Sequence, residues 1–454
     1  MATQLNRNTM KQIIEVLLLL FSISAEAQNL FLNKQERVYS LSMIWKELEY
    51  NFAFPDKLKK ANLDSLYFSY LEKVEHADDE YEYYRTLSSF MAHFEEAHTR
   101  IIPPENAPYD MPPLVTSNIG KHIFIKNIAK KLSEKMPLGS EIIAVNDVPV
   151  IDYLKDSVYQ YISAATQHWK FDKAVMEMLY GRPFSKVSVT IKPHKGESRK
   201  VELIRDYYAG KKTDVMADTT YVPPLEIKYL KGGIGYLCLS TCVGSKLAEI
   251  QSTFYDNLKR LIQCKGLIVD VRGNRGGTDQ AWHPIAYCCM PGREFSDKGK
   301  WITREHIASY KLHGDSDMRL KDYFEGKAMK VLGNLPYKNR VPDSLRLNQP
   351  MIVLSGKYVG SAAEDFVILM KENKRATIIG EPTVGCIGEP TFVDLSGGYT
   401  VMISCKAYVA EDDSQPNDTG ILPDLEVKQD YEAYQRGRDN QLDTAISELR
   451  EMMK

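Results

Sequence analysis

Ser361 opens the stretch S-A-A-E-D-F-V-I-L-M soon after a short apolar run, M-I-V-L, and a glycine-containing turn. That order predicts a strand that runs through a turn into a helix. A serine at such a junction is held rigidly, its oxygen beside the positive end of a helix, and could act as a nucleophile. The amide of Ala362 points to the same place and could donate to a developing oxyanion. Ser361 to Glu364 also spell the S-x-x-E capping box, so a plain helix cap is the competing reading. Upstream, G-L-I-V-D-V-R-G-N-R-G-G over 266–277 reads as a buried strand ending in a glycine turn. Gly276 and Gly277 allow a close backbone approach there.

The chain that must position these groups has 454 residues, enough for two or three domains. Its net charge of −2 gives no support for a nucleic-acid or anionic-membrane partner. The N-terminus carries Arg7 and Lys11, then the apolar run I-I-E-V-L-L-L-L-F-S-I-S-A, then Ala25 and Ala27 in the relation that precedes cleavage. Residues 1–27 are expected to be a secretory signal, which places the mature chain in the periplasm or outside the cell. No later run is long enough for a membrane span. The seven cysteines, Cys238, Cys242, Cys264, Cys288, Cys289, Cys386 and Cys405, follow no metal-binding spacing and are expected to be free buried thiols. No metal and no organic cofactor are expected.

Residues 28–105 read as an N-terminal helical domain with aromatic packing residues, broken at Pro55 and Asp64. Residues 106–208 read as a β-rich module: strands in K-H-I-F-I-K-N-I and around G-S-E-I-I-A-V-N-D-V-P-V, a helix near 165–180, and a hairpin over 185–207. From 209 to 454, strands alternate with amphipathic helices, the pattern of an α/β layered core with parallel strands. A hairpin turned at Ser396–Gly398 follows, and 290–350 is expected to be loops and short helices over the core.

The run D-x-R-x-N-x-G-G, the serine in its S-A-A-E context, the later I-I-G-E-P-T-V-G and the late G-I-L-P-D together resemble the tail-specific, or C-terminal-processing, serine peptidase family. The resemblance implies a crotonase/ClpP-like α/β core, a PDZ domain at 106–208, a nucleophilic Ser361, and an oxyanion hole from the amides of Gly276 and Ala362. Many members use a lysine after T-x-G; here Cys386 stands in its place. The tricorn-like branch instead uses a histidine before the PDZ region, and His98 in E-E-A-H-T-R-I matches it. That branch places a glutamate before G-x-x-P-D. Asn417 occupies the position here and Asp418 is next to it, so either would orient His98. His93 matches no motif and is read as packing. The PDZ-like module would capture extended peptides or protein C-termini by strand addition.

Two other readings compete. A peptide-binding protein of the same fold with weak or lost chemistry is favoured by the missing lysine and glutamate. A crotonase-like hydratase would share the layering, but it needs a CoA-phosphate site for which no basic cluster is committed. A Cys386 nucleophile lacks the helix-terminus setting of Ser361.

Overall fold

The computed structural model describes residues 31–208, 215–296, 298–304, 329–332 and 336–454. The expected signal segment and the middle of 290–350 lie outside these residues. No described helix is long and apolar enough to cross a membrane.

Four helices open the described chain: α1 (Lys34–Asn51), α2 (Pro55–Ala61), α3 (Leu63–Glu75) and α4 (Glu80–Ala92). Asn33 starts α1 with a reciprocal box, its Oδ1 accepting from the Glu36 N–H at 3.1 Å and its own N–H reaching the Glu36 carboxylate at 2.9 Å. Pro55 opens α2 as expected. The next break is at Asn62 rather than Asp64, because Asn62 takes the left-handed conformation, φ 51°, and caps α3. These helices do not build a core of their own. Leu41, Ile44, Leu48, Phe90 and Phe94 pack with Leu395, Tyr399, Val401 and Ile403. The segment expected as a separate domain is thus one half of a shared core with the late hairpin. Strand β1 (Arg100–Ile102) completes the union by pairing with that hairpin, Arg100 opposite Met402.

The module at 106–208 is an antiparallel sheet in the order β2 (Leu114–Ile119), β3 (His122–Ile128), β4 (Glu141–Val145), β5 (Lys186–Lys192) and β6 (Arg199–Ile204). Helix α5 (Gln167–Glu177) lies on it, tied by the Thr116 hydroxyl to the Val175 carbonyl at 2.5 Å. The module docks firmly on the rest of the chain. Lys357 pairs with the buried Asp172 at 3.0 Å, and the His168 Nε2 donates to the Thr383 carbonyl at 2.7 Å.

The α/β core is a six-stranded sheet. Its order is β14 (Leu425–Glu426), β11 (Thr377–Gly380), β10 (Met351–Ser355), β9 (Gly266–Asp270), β8 (Ile234–Leu239) and β7 (Leu225–Leu230). All pairings are parallel except the β7–β8 edge. β9 and β10 are buried throughout, which is why they read as unbroken apolar runs. Helices α6 (Leu247–Ile262), α7 (His283–Cys289) and α8 (Ala362–Glu372) follow β8, β9 and β10, and α9 (Asn440–Met452) packs Ala445 and Leu449 on the other face. The hairpin is β12 (Pro390–Asp394) and β13 (Thr400–Ser404), turned at Ser396–Gly398. Where 290–350 is described it carries the expected loops and one short helix, Asp343–Leu345, together with short strands that were not expected, Glu294–Ser296 with Pro336–Lys338 and Lys300–Arg304 with Met329–Leu332.

Candidate active site

In the register of the core sheet Asp270 lies opposite Leu354. β9 and β10 therefore end level, and the loops 271–277 and 356–361 leave the sheet side by side. Open parallel sheets place their sites at this edge. Ser361 comes off its loop with φ 54° and ψ −132°. A non-glycine residue in that region stores about 1–3 kcal/mol of strain and persists only where its surroundings hold it.

Glu364 is what holds it. This carboxylate is fully buried and accepts from the Ser361 N–H at 3.0 Å, the Cys386 N–H at 2.9 Å, the Gly385 N–H at 2.8 Å and the Thr383 hydroxyl at 2.5 Å. Burial raises its pKa to about 7 against the pull of those hydrogen bonds. The capping box is thus present in geometry, but Glu364 also clamps the 383–386 loop onto the serine. The Glu364 N–H faces back onto Ser361 and makes its 2.6 Å hydrogen bond with the Ser361 carbonyl.

The glycine turn presses against this elbow. A Cβ on Gly276 would stand 2.6 Å from the Ser361 Cβ and 2.6 Å from the Gly360 carbonyl oxygen, and its φ is +94°. The Gly276 N–H, expected as an oxyanion donor, is instead given to the Asn274 side chain at 2.9 Å. Gly277, exposed and at φ +141°, lines the cavity beside Ser361. The Ala362 N–H begins α8 at the same point.

His98 and Ser361 line one cavity of about 850 Å³. His98 sits in the turn between α4 and β1, 5% exposed. Its main-chain N–H reaches Glu96 at 3.2 Å, and its Nδ1 is buried without a hydrogen-bond partner. Burial lowers the imidazole pKa to about 4, Glu96 opposing and Arg100 adding. The ring is therefore neutral near pH 7 and able to accept a proton.

Neither expected orienting residue lines this cavity. Asp418 is exposed and pairs with Lys57 at 2.9 Å. It serves the surface between α2 and the late loop, and this corrects its assignment to the site. Asn417 is fully buried, its amide nitrogen donating to the Ile387 carbonyl at 2.8 Å. It braces the loop on either side of Cys386. The carboxylate beside His98 is Glu96, also fully buried. Cys386 lines the cavity, and burial holds its thiol well above the ordinary range.

Lys173 of α5 also lines the cavity, so the module supplies one wall. Burial lowers the Lys173 ammonium, the Glu177 carboxylate at 3.9 Å opposing. Sequence reasoning missed Glu96 and Lys173, though Glu96 stood within two residues of His98 in E-E-A-H. His93, read as packing, lies edge-on to Tyr70 at 5.9 Å. Five of the seven cysteines, Cys242, Cys288, Cys289, Cys386 and Cys405, are buried. Beyond Ser361 a second cavity of about 450 Å³ is lined by Asp279, Asp365, His283, Trp301 and Lys406 among others.

Residues 233–427 match the family described as peptidase family S41. The C-terminal processing peptidase, chloroplastic, of Tetradesmus obliquus is 27% identical over 197 residues, 43% of this chain and 36% of that one. The carboxy-terminal-processing protease of Bartonella bacilliformis is 25% identical over 255 residues, 55% of this chain and 51% of that one. The matched part of the chain thus spans about half the length of these relatives or less. In fold, the structure of mature CPAF complexed with lactacystin is similar with a TM-score of 0.68 at 14% identity, covering 92% of this chain and 99% of that one. Residues 233–427, which carry Ser361, the glycine turn and Cys386, are thus similar to peptidase family S41.

Proposed function

We propose that the chain is a serine peptidase acting outside the cytoplasm on extended peptides or protein C-termini. The observation that carries this reading is Ser361, strained at the head of α8 and sharing a cavity with a buried neutral histidine. In the proposed reaction the Ser361 Oγ attacks the scissile carbonyl while its proton passes to His98, which then returns it to the leaving amine. The amides of Ala362 and Gly277 receive the oxyanion. The module at 106–208 acts as a PDZ-like clamp, pairing a substrate strand while α5 closes one wall of the site. The second cavity has room for a substrate side chain.

The test is covalent. The folded chain is expected to take up one fluorophosphonate per molecule, with the adduct mapped by mass spectrometry to Ser361. A folded, metal-free chain that takes up none is not a serine peptidase. One observation favours a second reading, a peptide-binding protein without chemistry: no hydrogen bond joins the His98 Nδ1 to a carboxylate. Peptide binding without an adduct would select it.

Gly276→Ala is expected to slow labelling by about 100-fold, because a displacement of about 1 Å at a reacting group costs that much. The new methyl meets main-chain atoms and the Ser361 Cβ, which cannot swing aside. An unchanged labelling rate in a folded Gly276→Ala chain would show that the elbow does not depend on that contact.

A further inference from the structure

Three side chains on the wall of the cavity do more together than the hydrolytic reading asks of them. A carboxylate oxygen of Glu96, a ring nitrogen of His98 and the Cys386 Sγ all lie within 4.8 Å of one another. The residues are 0%, 5% and 7% exposed. Carboxylate, imidazole and thiolate are the ligands zinc takes, at about 2.0–2.3 Å in a tetrahedral arrangement. That geometry sets ligand atoms about 3.5 Å apart, so the trio need close by only about 1 Å.

Two further observations point to a ligand. The first is the His98 Nδ1, buried with no hydrogen-bond partner. Burying such an atom is unfavourable unless something satisfies it. The second is the way Glu96 is held. Its Oε2 accepts from the Thr99 N–H at 2.7 Å, the Thr99 hydroxyl at 2.6 Å and the Ser404 hydroxyl at 2.8 Å. Its Oε1 carries only the His98 N–H, at 3.2 Å. One oxygen is fixed by outer donors and the other is left with spare lone pairs, as in a ligating carboxylate.

We propose that Glu96, His98 and Cys386 form a binding site for zinc, with the fourth position open to the cavity. On binding, the Cys386 thiol gives its proton to solvent and its sulfur becomes a thiolate ligand; no electron is transferred. One imidazole cannot serve as both metal ligand and general base. The loaded chain is therefore the resting form, and chelation releases His98.

The test uses the full chain, stripped of metal and kept reduced, titrated with Co²⁺ as the spectroscopic probe. The expected result is saturation at one Co²⁺ per chain, with a near-ultraviolet thiolate-to-cobalt band and the visible bands of a four-coordinate ion, all bleached by Zn²⁺. Cys386→Ser removes the near-ultraviolet band. Ser404→Ala leaves all three ligands but takes one outer hydrogen bond from Glu96, and weakens binding by about 10- to 100-fold. A band that survives undiminished in Cys386→Ser, a Ser404→Ala affinity equal to wild type, or a wild-type chain that binds no Co²⁺ overturns the proposal. The readout needs no peptidase activity, so the site can stand or fall apart from the hydrolytic reading.

Discussion

His98→Ala is expected to slow fluorophosphonate labelling of Ser361 by about 10⁴- to 10⁶-fold, while Lys173→Met keeps it within about tenfold. Both side chains line the cavity, so both are candidates for the base. They differ in electrostatic surroundings. The imidazole is neutral near pH 7 because burial lowers its pKa to about 4, so it can take the serine proton without first losing one. Burial lowers the Lys173 ammonium too, but this side chain has a carboxylate partner, Glu177 at 3.9 Å, that opposes the shift. They differ also in anchorage. His98 stands two residues before Arg100, which is locked to Met402 in the hairpin. Lys173 rides on the helix of the docked module. The assay is the second-order labelling rate of folded, metal-free protein. The reverse ranking would make Lys173 the base and His98 a wall of the cavity.

What could be read from the sequence was local. The elbow at Ser361 was legible because an apolar run, a turn and a box of four residues lie within about a dozen positions. The glycine turn was legible for the same reason. The partners of those groups were not. Asn274 takes the Gly276 N–H, and Glu364 reaches across to Cys386, bonds that exist only once two loops meet at the end of the sheet. Asp418 was placed by its nearness to G-I-L-P-D, yet its charge is spent on Lys57 at the far end of the chain. The N-terminal helices show a related limit. Their periodicity says that each has an apolar face, but not that the cover is a hairpin formed about 300 residues later.

Arg272→Met is expected to destabilise the chain by about 3 kcal/mol without slowing Ser361 in the fraction that stays folded. The guanidinium closes a fork on Asp439, Nη1 to Oδ1 at 2.8 Å and Nη2 to Oδ2 at 2.7 Å, and its Nη2 also meets Asp270 at 2.6 Å. Asp270 is held from the other side by the Tyr236 hydroxyl at 2.8 Å. Asp439 caps α9 through the Leu442 N–H at 3.0 Å. One side chain thus ties the end of β9 to the start of the helix that covers the sheet. Removing one partner from a buried ionic network leaves charges without compensation, typically at about 3–5 kcal/mol. The lower end applies because Asp439 is 38% exposed and water screens it. Asp439→Asn should cost less, and the double variant less than the sum, since the two share one interaction. Denaturant titration measures all three. Additive costs would mean that Arg272 acts through Asp270 alone, and that the strand end, not the docking of α9, is what it secures.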